Sequence, residues 1–148
     1  MNFVLDASVA LLWLAPQTNP AGIDYAASTL NALRQSQAVV PSLFALEIAN
    51  VVTKLESKEV VTEANSQRYI AVLERLNVSV DQATAAHALG DTLNLARRYK
   101  LSAYDAAYLE LSLRTGLPLA TLDAGLAKAA TTAGVSIFGT QCAFQDGA

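Results

Sequence analysis

Four of the 13 acidic residues in this 148-residue chain stand in apolar surroundings, where a carboxylate is costly to bury unless its charge is compensated. Asp6 lies in Val-Leu-Asp-Ala-Ser, Glu47 in Ala-Leu-Glu-Ile-Ala, Asp105 in Tyr-Asp-Ala-Ala-Tyr and Asp123 in Thr-Leu-Asp-Ala-Gly. Each has an ordinary structural reading when taken singly. Asp6 and Asp123 could cap the helices that follow them, and Asp105 could close a Ser-x-x-Asp capping box with Ser102. Glu47 shares a helical face with Asn50 and Lys54 and could belong to a solvated stripe. Taken together these readings explain less, because a cap has no need of apolar flanks. A bound divalent cation would compensate several carboxylates at once, and hard oxygen ligands select Mg²⁺ or Mn²⁺.

Other chemistries lose ground quickly. One Cys (Cys142) and one His (His87) exclude a metal site built mainly from thiolate and imidazole, and a lone thiol cannot form an intrachain disulfide framework. Neither the dinucleotide fingerprint nor a phosphate loop is present. His87, in Ala-Ala-His-Ala-Leu, carries no mark of a triad base and reads as a structural histidine. The net charge of −3 argues at first against a nucleic-acid partner. Setting four acids aside as ligands leaves nine against 10 Lys and Arg, so net charge does not decide the question.

The elements that must position these acids follow from the hydrophobic pattern. Short apolar runs at Phe3–Leu5, Ala38–Val40, Val78–Val80, Leu117–Thr121 and Val135–Phe138 predict about five strands. Helical periodicity fills the intervals at Ile23–Ser36, Ser42–Ser57, Thr62–Leu76, Gln82–Tyr99, Ser102–Thr115 and Ala124–Ala133, the last two stopped by Gly116 and Gly134. Strands separated by helices imply parallel pairing through crossovers, hence a single α/β sandwich spanning residues 1–148. Ligands in such folds bind beyond the carboxyl ends of the strands. Asp6 directly follows the first run, and Asp123 closely follows the fourth.

Hydrophobic residues make up 53% of the chain and charged residues 16%. Either an Ala-rich helical composition or an apolar surface covered by a partner accounts for this. No uninterrupted apolar stretch reaches the length of a membrane span, and the run Val9–Ala15 is preceded by Asp6 rather than by a basic segment. A cytoplasmic protein is expected.

Four segments together carry a resemblance: Val4-Leu-Asp-Ala-Ser-Val9, Pro41-Ser-Leu-Phe-Ala-Leu-Glu-Ile-Ala-Asn50, Leu101-Ser-Ala-Tyr-Asp-Ala-Ala-Tyr-Leu109 and Pro118-Leu-Ala-Thr-Leu-Asp-Ala-Gly-Leu126. In order, spacing and total length the chain resembles the PIN-domain nucleases, most closely the VapC-type toxins of bacterial toxin–antitoxin pairs. The resemblance implies a PIN-like three-layer sandwich with a central parallel sheet, and a Mg²⁺ or Mn²⁺ site formed by Asp6, Glu47, Asp105 and Asp123. It also implies that Ser8 and Thr121 support the site. Some relatives carry a further acid close after the last aspartate, where Ala124 and Gly125 stand here. The expected reaction is endonucleolytic cleavage of RNA by a metal-activated water, with Asp6, Asp105 and Asp123 as principal ligands and Glu47 as a ligand or water-positioning group.

The resemblance further implies a cognate antitoxin and a homodimer, both using helices within Ile23–Leu76, which could equally be ordinary core. Arg97, Arg98 and Lys100, with Tyr99 and Tyr104 nearby, form a basic and aromatic cluster that could grip phosphate and stack on bases. Arg97 and Arg98 could instead complement the dipole at the end of the preceding helix. Two other functions remain open at this point. One is a catalytically silent PIN-like module that binds RNA or protein. The other is an aspartate-nucleophile phosphatase, although Ser8 stands where that chemistry expects a second acid.

Overall fold

A computed structural model describes residues 1–139; Cys142 lies outside the described residues. Strand β1 (Phe3–Leu5) leads through a short helix α1 (Ala7–Ala10) and three 3₁₀ turns into α2 (Ile23–Ala32) and β2 (Ala38–Val40). Helices α3 (Phe44–Ser57) and α4 (Glu63–Leu73) precede β3 (Val78–Val80). After it come α5 (Thr84–His87), a π-helical turn (Ala88–Thr92), α6 (Leu93–Tyr99), α7 (Ala103–Thr115), β4 (Leu119–Ala120) and α8 (Ala124–Thr132).

The strands form one parallel sheet in the order β3-β2-β1-β4. This is the α/β sandwich expected, with four strands rather than about five. The segment Val135–Phe138 runs beside β4 in a single bridge, in which Leu119 donates its amide to Ser136 O and accepts from the Phe138 amide, each at 2.9 Å. β4 is only two residues long, and this segment meets it at one bridge rather than along a ladder. Phe138 instead stacks on Phe3, with ring centroids 4.1 Å apart.

Local chemistry explains several helix ends. Thr62 accepts from the Asn65 amide and Ser102 from the Asp105 amide, both at 3.1 Å, as N-caps should. Gly116, at φ 72°, ends α7. Ser42 does not cap α3; its amide donates to Thr84 Oγ1, and α3 starts at Phe44 without a side-chain cap. The helix expected over Gln82–Tyr99 is broken by the π turn around Gly90, the weakest helix former in that stretch. The helical turns between Ala7 and Gly22, rich in Leu and Pro, have no clean period and were not expected from the pattern.

The core lies where β1 meets α7. Phe3, Val4, Leu5, Tyr108 and Leu109 are wholly buried, and every residue of α7 from Ala106 to Ser112 is inaccessible. Two acids are carried into this interior, Asp6 and Glu110. Glu110 is held by Arg114, which donates to both of its carboxylate oxygens at 2.7 and 3.0 Å and also pairs bidentately with Asp81 after β3. His87 lies 3.5 Å from Asp91 and 3.9 Å from Glu110 at the edge of this network. Among the described residues no helix is long and apolar enough to cross a membrane.

Candidate active site

The sheet order reverses direction between β1 and β4, which makes the carboxyl ends of these two strands a switch point where a crevice opens. The Asp6 amide donates to Ala120 O at 2.9 Å, so the backbone pairing of β1 and β4 continues to the carboxylate-bearing residue itself. The Asp6 side chain is 4% exposed and gives α1 no side-chain cap bond. Ser8 and Thr121 hold it instead. Their hydroxyls donate to the same oxygen, Asp6 Oδ2, at 2.6 and 2.8 Å.

Those two hydroxyls have fixed directions. Ser8 Oγ accepts from the Leu122 amide and Thr121 Oγ1 from the Asp123 amide, each at 3.0 Å. With its single proton given to Asp6, each hydroxyl is both donor and acceptor, and the loop after β4 is tied to the end of β1. Asp123 is at once cap and site residue. Its Oδ1 accepts from the Leu126 amide at 2.9 Å, starting α8, and its charge is felt by Asp6 and Asp105.

Helices α7 and α3 bring the remaining acids. Asp105 sits in the first turn of α7, fixed by the Ser102 cap, and is half-buried. Glu47, also half-buried, accepts a short hydrogen bond from the Tyr108 hydroxyl, which rules out a solvated stripe at this position. Tyr108 is a site residue that sequence reasoning missed. Its signal was there: it follows Asp105 by three residues and so lies near it on the helix surface.

The electrostatics show that the four acids share one neighbourhood. Burial, then the charges of Asp6 and Asp123, push the Asp105 carboxyl up to about 6. Glu47 is raised by burial, against the Tyr108 hydrogen bond, and further by Asp6 and Asp105. Asp6 is raised by burial and by Asp123, against its two hydroxyl donors. Among the described residues, the ion pairs of Asp and Glu involve Arg114 and His87 and none of these four acids. Their charges are thus uncompensated by the chain's own cations.

This donor set fits a hard divalent cation in chemistry. No group of three or more His, Cys, Asp and Glu side chains among the described residues stands close enough to be a finished ligand cage. Mg²⁺ does not require one, since it retains several waters and takes only one or two protein carboxylates. The arginines of the basic cluster have partners of their own. Arg97 reaches Asn94, and Arg98 lies over the Tyr99 ring and lines a cavity of about 530 Å³ with His87, Glu110 and Arg114.

Two solved structures have similar folds. One is PAE2754 from Pyrobaculum aerophilum, 20% identical, with a TM-score of 0.64 and all of both chains covered. The other is VapBC2 from Rickettsia felis bound to a DNA fragment from their promoter, 16% identical, with a TM-score of 0.58 over 83% of this chain and 88% of that one. Among curated proteins, none matches this chain closely enough to count as a relative. The sequence profile of the PIN domain matches residues 3–131, which contain all four acids, Ser8, Thr121 and Tyr108. With residues 3–131 accounted for by that profile, and the parallel α/β sheet in agreement with it, this protein belongs to the PIN domain family.

Proposed function

We propose that the chain is a divalent-metal-dependent endoribonuclease and the toxin of a toxin–antitoxin pair. The observation that carries the nuclease reading is the convergence of four carboxylates, uncompensated by protein cations, on the switch point between β1 and β4. One or two of Asp6, Asp105 and Asp123 would hold Mg²⁺ or Mn²⁺ directly, and the rest through its waters. When bound, the cation supplies counter-charge for phosphate oxygens and a water acidic enough to be a nucleophile near neutral pH. The chain's own residues prepare the rest. Ser8 and Thr121 orient Asp6 and keep Oδ2 an acceptor. Tyr108 occupies Glu47 Oε1, leaving Oε2 as the oxygen able to orient a water or take its proton.

The toxin role, the antitoxin partner and a homodimer rest on kinship within the family and on the likeness to VapBC2. An apolar cleft of about 350 Å³, lined by Trp13, Leu14, Leu30, Tyr69, Val72 and Leu73, supports a protein partner on the α2–α4 side. A cytoplasmic location accords with this role.

The purified chain alone, incubated with a pool of cellular RNAs and Mg²⁺, should cut them. Cleavage should stop with EDTA, and in a D6N/D105N double variant that retains its circular dichroism spectrum. Equal behaviour of wild type and folded variant would put a silent binding module in place of the enzyme.

A further inference from the structure

The bridge between Leu119 and Ile137 sets a register for the backbone of β4. Leu119 donates to Ser136 O and accepts from the Phe138 amide, so the next bond of a parallel ladder would run from the Thr121 amide to Phe138 O. The hydroxyl of Tyr25, on α2, stands at that point. It donates to Phe138 O at 2.7 Å. Burial raises this hydroxyl to about 12, and the Thr121 amide opposes the rise, as a backbone donor aimed at the phenol oxygen does. The following residue, Gly139, comes against the edge of the ring, where a side chain would begin 3.6 Å from Tyr25 Cε1. A hydroxyl is donor and acceptor at once, and so can span an amide and a carbonyl that two strands would otherwise join directly.

Helix α2 is held close to this contact. Gly22, at its N-terminus and one turn before Tyr25, is buried with no room for a side chain: a Cβ would come within 2.8 Å of both Leu12 and Leu122. Leu122 belongs to the loop after β4, and its amide donates to Ser8 Oγ. Trp13 holds α2 as well, donating Nε1–H to Ala26 O at 2.8 Å. The loop is thus met at Thr121 through Tyr25 and at Leu122 through Gly22. We propose that Tyr25 is a positioning residue of the acid site: its hydroxyl replaces the next ladder bond and fixes the backbone of Thr121, and with it the Oγ1 that serves Asp6 and the Asp123 amide. Tyr25 acts through Thr121, so cation affinity is set in part from α2. This inference rests on the reading of the four acids as a metal site and goes beyond it by naming a residue that keeps the site in register.

The test compares wild type, Y25F and T62A. Phenylalanine keeps the ring and removes only the bridging hydroxyl, whereas T62A removes the N-cap of α4 and leaves the end of β4 as it is. Mn²⁺ binding is read at neutral pH from the electron paramagnetic resonance signal of the free ion, with no RNA present. Y25F should bind Mn²⁺ about fivefold more weakly than wild type, less than the roughly tenfold to hundredfold that follows loss of a direct partner of a metal ligand. T62A should bind like wild type although it melts earlier. With RNA, cleavage by Y25F should need about fivefold more Mg²⁺ and approach the wild-type rate once Mg²⁺ saturates. By NMR, the Thr121 amide should be protected from hydrogen exchange in wild type and exchange about tenfold faster in Y25F.

Wild-type Mn²⁺ affinity in Y25F, or an equal loss in T62A, overturns the positioning role and leaves the metal site intact. A Thr121 amide that exchanges freely in wild type, or whose exchange Y25F leaves unchanged, overturns it too; the wild-type measurement stands even if Y25F does not fold. Wild type that binds no Mn²⁺ and cuts no RNA removes the reading of the four acids as a metal site, and this inference with it, before any variant is compared.

Discussion

Thr121 performs three tasks with one hydroxyl. It donates to Asp6 Oδ2, accepts from the Asp123 amide, and lies 3.5 Å from Ser8 Oγ, which holds the same carboxylate. Burial raises Asp6, and the hydroxyl donors oppose that rise. Replacing Thr121 with Val keeps the shape and removes the donor. Asp6 then loses one of the two side-chain hydrogen bonds that favour its charged form, and the Asp123 amide loses its acceptor. T121V should cost about 1–3 kcal/mol in urea unfolding, the usual penalty for orphaned buried polar groups. Because the lost donor favoured ionised Asp6, the acid limb of the pH–rate profile should move to higher pH. A profile superimposable on wild type would show that Asp6 ionisation does not limit the reaction.

At the scale of elements, Asp123 combines two readings that are usually alternatives. It caps α8 through Leu126 N and lies within the field of Asp6 and Asp105. Asparagine caps a helix as well as aspartate does, whereas alanine does not. D123N should therefore melt close to wild type, and D123A should lose about 1 kcal/mol. Both should lose cleavage if the charge is what the site uses; an active D123N would reduce Asp123 to a cap. This double role also explains what the sequence could show. Caps at Thr62, Ser102 and Asp123 and stops at Gly116 and Gly134 are local signals, so α4, α7 and α8 are legible within a few residues. The first strand is equally plain as a continuous apolar run ending at Asp6. What escapes is non-local. Tyr108 meets Glu47 across 61 positions, and Arg114 meets Asp81 across 33, with no spacing to announce either. The expected fifth strand fails for a related reason: its apolar run has only the two residues of β4 to pair with and makes a single bridge.

For the molecule as a whole, the acid cluster links stability to pH and to cations. Asp105 has an ordinary value of 3.8 and is raised to about 6 in the folded chain. Between those values the folded chain keeps a proton that the unfolded chain has released, so stability must fall as pH rises through the window. Asp6 and Glu47, also raised, act in the same direction. Asp81 acts oppositely. Arg114 lowers it, so its contribution is present above 3.8 and is lost only in stronger acid. A titration kept above about pH 4 therefore isolates the acid cluster. Without divalent metal, the melting temperature should decrease from about pH 4.5 to neutrality, and D105N should flatten that slope. A cation that binds only the folded chain adds about 2.7 kcal/mol at a hundredfold excess over its Kd. Mg²⁺ or Mn²⁺ should therefore raise the melting temperature at pH 7, where the acids are ionised, and hardly at all at about pH 4.5, where protons occupy them. Sodium chloride at equal ionic strength separates screening from binding: it relieves repulsion between the charges, but it does not bridge two carboxylates as a bound divalent ion does. Equal stabilisation by Na⁺ and Mg²⁺ would mean that the four acids form a repulsive patch and not a site.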